Sequence, residues 1–491
     1  MRSSSCLCLC LCLCLCLGLG LAHAESIPLT LVQVNDVYEI SPVQGGTAGG
    51  IARLATLVKR LRAENPRTWL VIAGDVVSPS ALGTAVVDGK PLHGAQMIAA
   101  LNAAGLDFAT LGNHEFDVRR EELEARIAES KAKWFSGNVT ATDGTPFPGV
   151  AESVTFTAAG AGGGTVRIGL FGVTGGAISG NWVAVKEPLA AAARLARALR
   201  PQVDVLVAVT HLSLAQDQEL ATAVPGIDLI LGGHEHENWL VERGPRFTPI
   251  AKADANGRTV YVHRLVWDTE ARTLSIRSDL VRVTPALPDD PATAKVVAEW
   301  TARGFAAFRK EGFAPEQVVT QVTDTLDGRE ASVRNGATNL TDLVAAALRR
   351  ECPAAQAALY NAGSIRIDDE IPPGPLTQYD VLRILPFGGK VVQADMSGAL
   401  LARVLDAGRR NRGLGGWLQT SGIAALADGR WAVGGTPVDP RSTYRIALGE
   451  YLLQGKEVGL EFLKQGDTPG LGEVTAFRDV RFVFMDFLRA K

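Results

Sequence analysis

The chain has 491 residues, of which 47% are hydrophobic and 21% are charged, a composition typical of globular protein. Its 49 Lys and Arg residues nearly balance 52 Asp and Glu residues, so the composition disfavours a protein that binds nucleic acid through bulk positive charge. Six of the seven cysteines lie in one Leu-Cys run, at every second position from residue 6 to residue 16. Only Cys352 follows that run, so no intrachain disulfide framework is predicted once the run is removed.

The N-terminal segment has the three parts of a secretory signal peptide. Arg2 and three serines come first, an apolar stretch from residue 6 to residue 21 follows, and Ala22-His23-Ala24 provides small residues at a cleavage point. We therefore predict a signal peptide over residues 1–24 and a periplasmic or extracellular mature protein. The alternative, an uncleaved membrane anchor, is disfavoured because about 16 apolar residues are few for a span that needs roughly 20. No later segment is apolar enough to predict a stable membrane anchor.

Apolar runs alternate with helical patterns through residues 25–285. The apolar runs predict strands at 29–34, 69–73, 166–173, 203–209 and 229–231, and the helical patterns predict helices at 51–61, 94–104 and 188–199. Strands that alternate with helices are typical of a layered α/β structure in which helices cover the sheet faces.

A Pro-Ala-Leu-Pro-Asp-Asp-Pro stretch near residue 286 interrupts this alternation. The helical pattern that follows, from about residue 292 to residue 310, predicts a rigid linker over residues 286–316. A second unit is predicted over residues 317–491. The glycine clusters at 45–50 and 160–164 are not followed by Lys-Ser or Lys-Thr, so they predict loops rather than a phosphate-cradling P-loop.

Polar residues directly follow several of the predicted strands, and they include four of the six histidines after residue 24. Layered α/β folds gather their sites at the carboxyl ends of strands, so we expect these residues to lie together. Two aspartates, one asparagine and three histidines can bind two divalent ions that share a bridging carboxylate, and such ligands suit Zn, Mn or Fe. The candidate site residues are Asp36, Asp75, Asn113, His211, His234 and His236, together with His114, the fourth of these histidines.

The order of these motifs resembles the calcineurin-like metallophosphatases and, among them, the secreted 5′-nucleotidase and UDP-sugar hydrolase family. The second half of the chain also resembles that family's C-terminal nucleotide-binding domain. The resemblance implies an α/β fold: a four-layered αββα metallophosphoesterase domain, a linker helix and a smaller α/β substrate-binding domain. The motifs that carry it are Asp36, Gly74-Asp75, Gly112-Asn-His-Glu-Phe-Asp117, His211, Gly232-Gly-His-Glu-His236, Asn361-Ala-Gly-Ser-Ile-Arg366, Leu385-Pro-Phe-Gly388, Leu418-Gln-Thr-Ser-Gly422 and residues 451–459.

The resemblance also implies two divalent metal ions, drawn from Mn, Zn, Mg and Fe. Together they would lower the pKa of a bridging water, orient the phosphate ester and neutralise charge as the water attacks phosphorus. The implied ligands are Asp75 for both ions, Asp36 and His236 for one ion, and Asn113, His211 and His234 for the other.

Two further residues of the same motif are assigned a catalytic role by the resemblance. His114 would stabilise developing charge or protonate the leaving oxygen, and Asp117 would orient its imidazole ring. From the residues alone, Asp117 also fits a helix N-cap or a first-turn acid.

The implied substrate is a small phosphate ester, a nucleotide rather than a nucleic acid polymer, bound by the second unit. Phe387 and Tyr451 match the two aromatic residues that clamp the nucleobase in this family. Arg334 and Arg366 match arginines that hold phosphate or a neighbouring carboxylate. The implied substrate-binding residues are Arg334, Arg366, Phe387, Gly422, Tyr451 and Glu457, of which Glu457 only approximately replaces a ribose-binding acid.

Two positions depart from the family pattern. The first motif normally reads Asp-x-His, but here it is Asp36-Val37-Tyr38, so one metal loses an imidazole ligand. Tyr38 could ligate as a phenolate, or it could pack beside a weaker, water-completed site that favours Mn or Mg. Gly389 stands where the family has an asparagine that can read the base, so the residues support phosphoester hydrolysis better than nucleotide specificity.

We therefore predict a secreted dimetal phosphohydrolase that cleaves phosphate esters of nucleotides, as a 5′-nucleotidase, a UDP-sugar hydrolase or both. A hydrolase of the same fold with another substrate, such as a 2′,3′-cyclic nucleotide or a thiosulfate-type ester, is one alternative. A non-catalytic secreted binding protein with a degenerate metal site is the other, because Tyr38 and Gly389 replace family residues.

Overall fold

The structure, a computed structural model, describes residues 25–491, so the predicted signal peptide lies outside the described residues. Within this part of the chain, the α-helices are α1 (Ile51–Glu64), α2 (Ala95–Ala104), α3 (Arg120–Glu129), α4 (Pro188–Leu199), α5 (Leu214–Ala223), α6 (Pro291–Lys310), α7 (Glu330–Val333), α8 (Asn339–Glu351), α9 (Gln378–Ile384), α10 (Gly398–Arg410) and α11 (Val480–Arg489). Short 3₁₀ helices lie at Leu82–Thr84, His114–Asp117, Arg200–Gln202, Ala255–Gly257, Ala362–Ser364 and Glu450–Leu453.

The β-strands of residues 25–491 form two sets, one before α6 and one after it. The first set is β1 (Ser26–Val34), β2 (Thr68–Ala73), β3 (Val86–Val87), β4 (Lys90–Pro91), β5 (Phe108–Thr110), β6 (Lys133–Phe135), β7 (Val139–Ala141), β8 (Val150–Ala151), β9 (Ser153–Ala159), β10 (Thr165–Thr174), β11 (Val183–Val185), β12 (Val205–His211), β13 (Leu229–Gly232), β14 (Trp239–Arg243), β15 (Thr248–Lys252), β16 (Thr259–Asp268) and β17 (Thr273–Arg282). The second set is β18 (Val318–Val322), β19 (Leu326–Asp327), β20 (Ala357–Asn361), β21 (Glu370–Ile371), β22 (Gly374–Thr377), β23 (Lys390–Ser397), β24 (Leu418–Ser421), β25 (Ile423–Ala425), β26 (Trp431–Val433), β27 (Thr436–Pro437), β28 (Thr443–Gly449) and β29 (Leu471–Asp479).

Two mixed sheets form the centre of the first half of the chain. One has seven strands in the order β17-β16-β1-β2-β5-β6-β8, in which β1, β2, β5, β6 and β8 run parallel. The other has six strands in the order β14-β15-β13-β12-β10-β9, in which β10, β12, β13 and β15 run parallel. Parallel strands covered on both faces are continuous apolar runs, and every residue of β12 is buried.

The apolar core arranges these two sheets and their helices in four layers. Leu31 of β1, Val71 of β2 and Leu170 of β10 belong to one cluster between the two sheets. Helices α4 and α5 pack on the outer face of the six-stranded sheet, and α1 and α2 pack on the outer face of the other. Helix α1 can do so because its buried residues recur at 51, 54, 58 and 61, which places them on one helical face.

Helix α6 follows the proline-rich stretch and packs on the first half of the chain. It begins where Asp290 Oδ1 accepts the N–H of Thr293, with Pro291 at the first helical position. It lies against α1 and α2, and Gly304 allows the side chain of Leu82 to approach its backbone closely. Helix α6, which connects the two halves of the chain, is therefore packed on the first half.

The second half of the chain is built on a five-stranded sheet with the order β24-β20-β28-β23-β29. Leu340 and Val344 of α8 pack on one face of this sheet, and Leu401 and Val404 of α10 pack on the other. The two-domain α/β architecture predicted from the sequence is confirmed. No helix among residues 25–491 combines the length and apolar character needed to cross a bilayer.

Candidate active site

The six predicted metal ligands lie at the carboxyl ends of five strands from the two sheets. Because the parallel strands of each sheet point the same way and the sheets are packed face to face, these ends meet at one edge of the sandwich. The ligands are Asp36 after β1, Asp75 after β2, Asn113 after β5, His211 at the end of β12, and His234 and His236 after β13.

Short distances join the acidic and imidazole side chains of this cluster. One ligand atom from each of Asp36, Asp75 and His211 lies within 4.8 Å of the other two. The Nε2 atom of His211 is 3.2 Å from Asp75 Oδ2, and the Nε2 atom of His236 is 3.3 Å from Asp36 Oδ1. Four of the six predicted ligands therefore surround one small volume.

The remaining two predicted ligands lie beside it. The rings of His211 and His234 are 5.3 Å apart between centroids. A Cβ atom at Gly176 would lie 3.0 Å from Asn113 Oδ1 and 3.2 Å from His234 Cε1, so both side chains lie beside this glycine. The structure thus brings all six predicted ligands together.

Four of these residues have a left-handed backbone conformation that is unusual for residues other than glycine. Their φ angles are 53° at Asp36, 58° at Asp75, 84° at His234 and 59° at His236. Such conformations cost on the order of 1–3 kcal/mol each and persist where surrounding contacts enforce them, which is common at functional sites.

Hydrogen bonds from the surrounding backbone and side chains orient the ligands. Asp36 Oδ2 accepts hydrogen bonds from Asn35 Nδ2 at 2.8 Å and from the backbone N–H of His234 at 2.9 Å. His211 donates its Nδ1–H to the carbonyl oxygen of Ala73 at 2.8 Å. Because a carbonyl only accepts, Nδ1 of His211 carries a proton whatever the charge of the ring, and Nε2 is the nitrogen that faces Asp75.

The unsatisfied atoms and charge of the cluster fit a bound cation. Asn113 Oδ1 is buried without a hydrogen-bond partner among residues 25–491, and His211 Nε2, although 3.2 Å from Asp75 Oδ2, forms no well-aligned hydrogen bond with it; buried polar atoms are normally paired. Burial alone would lower the pKa of His211, but the carboxylates of Asp75 and Asp36 raise this pKa to about 9. The cluster therefore attracts positive charge, and its carboxylate, amide and imidazole donors suit a divalent metal ion.

Tyr38, which replaces the family histidine, lies inside the ligand cluster. Its hydroxyl oxygen is 3.2 Å from Asp36 Oδ1, 3.2 Å from Asp75 Oδ2 and 3.1 Å from His236 Nε2. Burial, together with the charges of Asp75 and Asp36, raises the pKa of Tyr38 well above its ordinary value, so the phenol keeps its proton in the metal-free protein. The hydroxyl is within reach of the same atoms that would bind a cation.

His114 and Asp117 form a hydrogen-bonded pair next to the cluster. His114 Nδ1 is 2.6 Å from Asp117 Oδ2, while Ser179 Oγ donates to Asp117 Oδ1 at 2.7 Å. Burial alone would lower the pKa of His114, but the carboxylates of Asp75 and Asp117 outweigh it and raise the pKa. The backbone N–H of His114 donates to Asp75 Oδ1 at 2.9 Å, which ties the pair to the ligand cluster.

A cavity of about 660 Å³ lies between the two halves of the chain and holds four predicted substrate-binding residues. Asp117 and Ser179 line it from the first half. The rings of Phe387 and Tyr451 are 57% and 41% exposed, which is unusual for large aromatic side chains with a purely structural role. The predicted substrate-binding residues among those that line it from the second half are Arg366, Phe387, Tyr451 and Glu457.

Two of these four residues have neighbours that fix their position. The guanidinium of Arg366 lies 5.7 Å from the ring centroid of Phe387, and its charge also acts on His114 across the cavity. Glu457 Oε2 accepts a hydrogen bond from Asn361 Nδ2 at 2.6 Å, and burial raises the pKa of Glu457.

The other two predicted substrate-binding residues, Arg334 and Gly422, do not line this cavity. Arg334 forms an ion pair with Glu330 at 2.6 Å. Gly422 follows the end of β24 that pairs with Ala358, whereas the cleft lies near the other end, where Asn361 pairs with Leu418. Gly422 therefore lies away from the other predicted substrate-binding residues.

Glu115 supports the metal cluster but was given no role in the sequence analysis. It is fully buried, and its carboxylate accepts the backbone N–H groups of Asp75 at 2.9 Å and Val76 at 2.6 Å, and that of Gly112 at 2.5 Å. Burial, reinforced by the charge of Asp75, raises the pKa of Glu115 to about 7. Its place inside the Gly-Asn-His-Glu motif was the signal available in the sequence.

Lys252 supports the histidine side of the cluster and was also missed. Its ammonium group is fully buried and donates to the carbonyl oxygens of Leu212 at 2.5 Å and Gly233 at 2.6 Å, with Asp217 Oδ2 at 2.9 Å. These two carbonyls belong to the neighbours of His211 and His234. A lysine that ends an otherwise apolar strand was the sequence signal for such a buried, fully paired charge.

Comparison with known proteins agrees with this geometry. The model of the calcineurin-like phosphoesterase family matches residues 29–238, and the model of the 5′-nucleotidase C-terminal domain matches residues 318–465. The chain belongs to the calcineurin-like 5′-nucleotidase family. Membership makes it a metal-dependent phosphoesterase, as the sequence predicted.

Similar proteins within the family differ in length. The chain is 26% identical over 438 residues to the trifunctional nucleotide phosphoesterase YfkN of Bacillus subtilis, covering 80% of this chain but 28% of that protein. It is 24% identical over 466 residues to protein UshA of Yersinia enterocolitica, covering 81% of this chain and 80% of that protein. The crystal structure of a 5′-nucleotidase precursor from Thermus thermophilus superposes with a TM-score of 0.76 at 25% identity, covering 94% of this chain and 96% of that one.

Proposed function

We propose that the protein hydrolyses phosphate esters of nucleotides, as a 5′-nucleotidase, a UDP-sugar hydrolase or both. The observation that carries this proposal is that one cavity is lined by Asp117, which pairs with His114, and by two exposed aromatic rings and Arg366 of the other domain. A metal centre alone would cleave many esters. The aromatic rings opposite it favour a substrate that carries a flat base as well as a phosphate.

We propose that the six ligands hold two divalent ions. Bound there, the two ions would supply Lewis-acid stabilisation of the phosphoryl oxygens and acidify the attacking water. Tyr38 supplies an oxygen where the family has an imidazole nitrogen, so we expect Mn or Mg to be favoured over Zn at that position. Asp75 would be shared between the ions, Asp36 and His236 would belong to one, and Asn113, His211 and His234 would belong to the other.

His114 and Asp117 provide the proton that the leaving group needs. The Nδ1–H of His114 donates to the Asp117 carboxylate, so the ring presents its other nitrogen, Nε2, to the substrate. Because the pKa of His114 is raised, the imidazolium form persists to a higher pH than for a free histidine. Nε2–H can therefore donate to the phosphoryl or leaving oxygen as negative charge develops.

The second domain would hold the rest of the substrate. Arg366 Nε is buried and has no partner among residues 25–491, so its guanidinium is free to bind phosphate oxygens. Phe387 and Tyr451 would stack on the base, and Glu457 would accept a hydrogen bond from a ribose hydroxyl. Arg334 would act indirectly, through Glu330.

We also propose that the protein acts in the periplasm or outside the cell after cleavage near Ala24. The domain limits proposed from the sequence are 25–285 for the metallophosphatase domain, 286–316 for the linker and 317–491 for the substrate domain. The composition of residues 1–24 and the position of the proline-rich stretch support these two proposals.

A substrate panel tests the proposed specificity. The purified protein, supplied with Mn²⁺, is offered nucleoside 5′-monophosphates, UDP-sugars, 2′,3′-cyclic nucleotides and p-nitrophenyl phosphate. We expect the first two classes to be cleaved with the highest kcat/KM. The double variant Phe387→Ala/Tyr451→Ala should raise KM for nucleotides by at least about tenfold, because stacking contributes about 1–3 kcal/mol per base, and should leave p-nitrophenyl phosphate cleavage nearly unchanged.

Other outcomes of the panel distinguish the alternatives. Cleavage of p-nitrophenyl phosphate without cleavage of any nucleotide would reject nucleotide specificity and favour another ester. A metal-loaded protein that cleaves nothing would favour a binding protein with a degenerate site.

A further inference from the structure

A carboxylate from the second domain contacts a predicted metal ligand of the first. His236 Nδ1 lies 2.8 Å from Asp368 Oδ2, and both side chains are largely buried. Asp368 lies two residues after Arg366, in the segment that leads to β21, whereas His236 follows β13. The contact therefore crosses from the substrate domain to the edge of the metal cluster.

We propose that Asp368 is a positioning residue for the metal centre, so that the substrate domain helps to build the metal site of the other domain. The proposal rests on the assignment of His236 as a metal ligand in the proposed function. A histidine that binds a metal through one nitrogen commonly donates its other ring N–H to a carboxylate or carbonyl, which fixes the tautomer and the ring orientation. Asp368 provides this acceptor for His236.

The geometry around the imidazole supports this role. With its proton on Nδ1 and directed at Asp368, neutral His236 presents the lone pair of Nε2 on the opposite side of the ring. That nitrogen faces Asp36 Oδ1 at 3.3 Å and the hydroxyl of Tyr38 at 3.1 Å. The acceptor from the second domain thus points the nitrogen into the ligand cluster.

The two buried imidazoles of the cluster are held in different ways. His211 donates to the carbonyl of Ala73, which belongs to its own domain. His236 depends on a side chain of the other domain, and a carboxylate is the stronger acceptor because it is charged. Any change in the relative position of the domains would therefore release His236 while leaving His211 in place.

Contacts within the protein hold Asp368 in place without a bound metal. Its Oδ1 atom accepts the backbone N–H of Glu330 at 2.7 Å, and its backbone φ is 39°. The next residue, Asp369, makes a separate contact across the same boundary, since its Oδ2 atom accepts the backbone N–H of Gln44 at 3.0 Å. The same oxygen is 3.1 Å from Nη2 of Arg383, which belongs to its own domain. The boundary therefore has two adjacent carboxylates, of which only Asp368 contacts a metal ligand.

A thermodynamic consequence follows from this arrangement. If the domain position seen here strengthens metal binding through His236, then metal binding must stabilise this domain position by the same free energy. The metal ion next to His236 and the domain interface are coupled, whereas the ion held by His211 and His234 is not coupled through this contact.

The test compares Asp368→Asn and Asp368→Ala with the control Asp369→Asn in the full-length mature protein. Mn²⁺ binding is measured by isothermal titration calorimetry without substrate. We expect one of two Mn²⁺ ions to bind about 10–100-fold more weakly in both Asp368 variants, as is typical when such a carboxylate is lost. The other ion, and both ions in Asp369→Asn, should bind within about threefold of the parent.

A second measurement reports on His236 directly. In protein labelled with ¹⁵N-histidine, the metal-free parent and Asp369→Asn should show a hydrogen-bonded Nδ1–H resonance of His236 that is lost in Asp368→Ala. Unchanged Mn²⁺ affinity in both Asp368 variants, or an equal loss in Asp369→Asn, would overturn the inference while the proposed function stands. A parent protein that binds no divalent ion would overturn the proposed function and this inference with it.

Discussion

Gly74 is a residue at which one added methyl group should disturb the metal cluster. It joins β2 to Asp75 with φ of 82°, and a Cβ there would lie 2.5 Å from His211 Nδ1 and 2.7 Å from the backbone nitrogen of Gly112. Only glycine avoids both the strained backbone and the clash. Close packing as well as the left-handed turn before Asp75 therefore requires glycine at position 74.

Gly74→Ala should therefore displace His211 and destabilise the fold by about 1–3 kcal/mol beyond the backbone strain, because the rigid surroundings cannot yield. Gly89→Ala is a matched control: its φ is 78°, and nothing lies within 4 Å of the added Cβ. Urea unfolding and Mn²⁺ affinity measure both effects. Equal losses in the two variants would contradict the argument.

His263 gives the fold a predictable pH dependence away from the metal cluster. It is fully buried, Gln33 Oε1 accepts its Nε2–H at 3.0 Å, and its Nδ1 accepts from Ser278 Oγ at 2.7 Å. Burial lowers the pKa of His263 from 6.5 to about 3. Between these two values the unfolded chain binds one more proton than the folded chain, so this stability is present above pH 6.5 and is lost as pH falls toward 3.

We expect His263→Gln to lose part of this acid sensitivity, because glutamine does not titrate. The parent should lose up to about 5 kcal/mol of folding free energy from this group across that window, at roughly 1.36 kcal/mol per pH unit. Urea unfolding at pH 4.5, 5.5, 6.5 and 7.5 measures it. Parallel stability curves for parent and variant would show that His263 is not responsible.

The motifs supplied the predicted ligand residues, which the structure brings together, but not the residues that support them. Asp36, Asp75 and the histidines follow apolar strands, so their local sequence contains the signal for a site. Lys252 and Asp368 act through contacts to distant segments, and no local pattern specifies which histidine or carbonyl they reach. Gly422 shows the converse, because a matching motif placed it in the cleft while the strand register places it at the other end of β24.

At the scale of elements, the predicted strands and helices of the first half occur near the predicted positions. The apolar run at 203–209 is β12 (Val205–His211), and the helical pattern at 51–61 is α1 (Ile51–Glu64). These elements were predictable because they are buried on long apolar faces. The short strands that pair at sheet edges were not predicted, since their pairing depends on partners far along the chain.

The N-terminal cap of helix α6 can be tested by substitution. Asp290 caps the helix through Thr293 and is also paired with Lys59, and its side chain is 8% exposed. Asp290→Ala should destabilise the protein by about 1–2 kcal/mol, the usual effect of removing a cap. Asp289→Ala is the control, because Asp289 is half exposed and 3.7 Å from Arg53, so its loss should change stability by less than about 0.5 kcal/mol. A thermal melt that ranks the two variants in the opposite order would contradict this explanation.

At the scale of the whole molecule, the sequence predicted two domains but not how they meet. Their contact includes Arg383 of the second domain, which is buried between Glu39 of the first and Asp369 of its own. It also includes the cavity that Asp117 lines from the first domain and Arg366 from the second. The arrangement of the domains is set by such buried contacts between distant segments, so it could not be read from either half alone.

The central claim is that the carboxyl ends of the two sheets form a two-metal centre for phosphoester hydrolysis. Its most direct test is the metal content of the purified protein, measured by mass spectrometry together with 5′-AMP hydrolysis, before and after chelation and in Asp75→Asn. We predict two divalent ions per chain, loss of hydrolysis on chelation with recovery in Mn²⁺, and neither full metal content nor activity in Asp75→Asn. Hydrolysis that survives complete metal removal, or that persists in Asp75→Asn, would contradict the account.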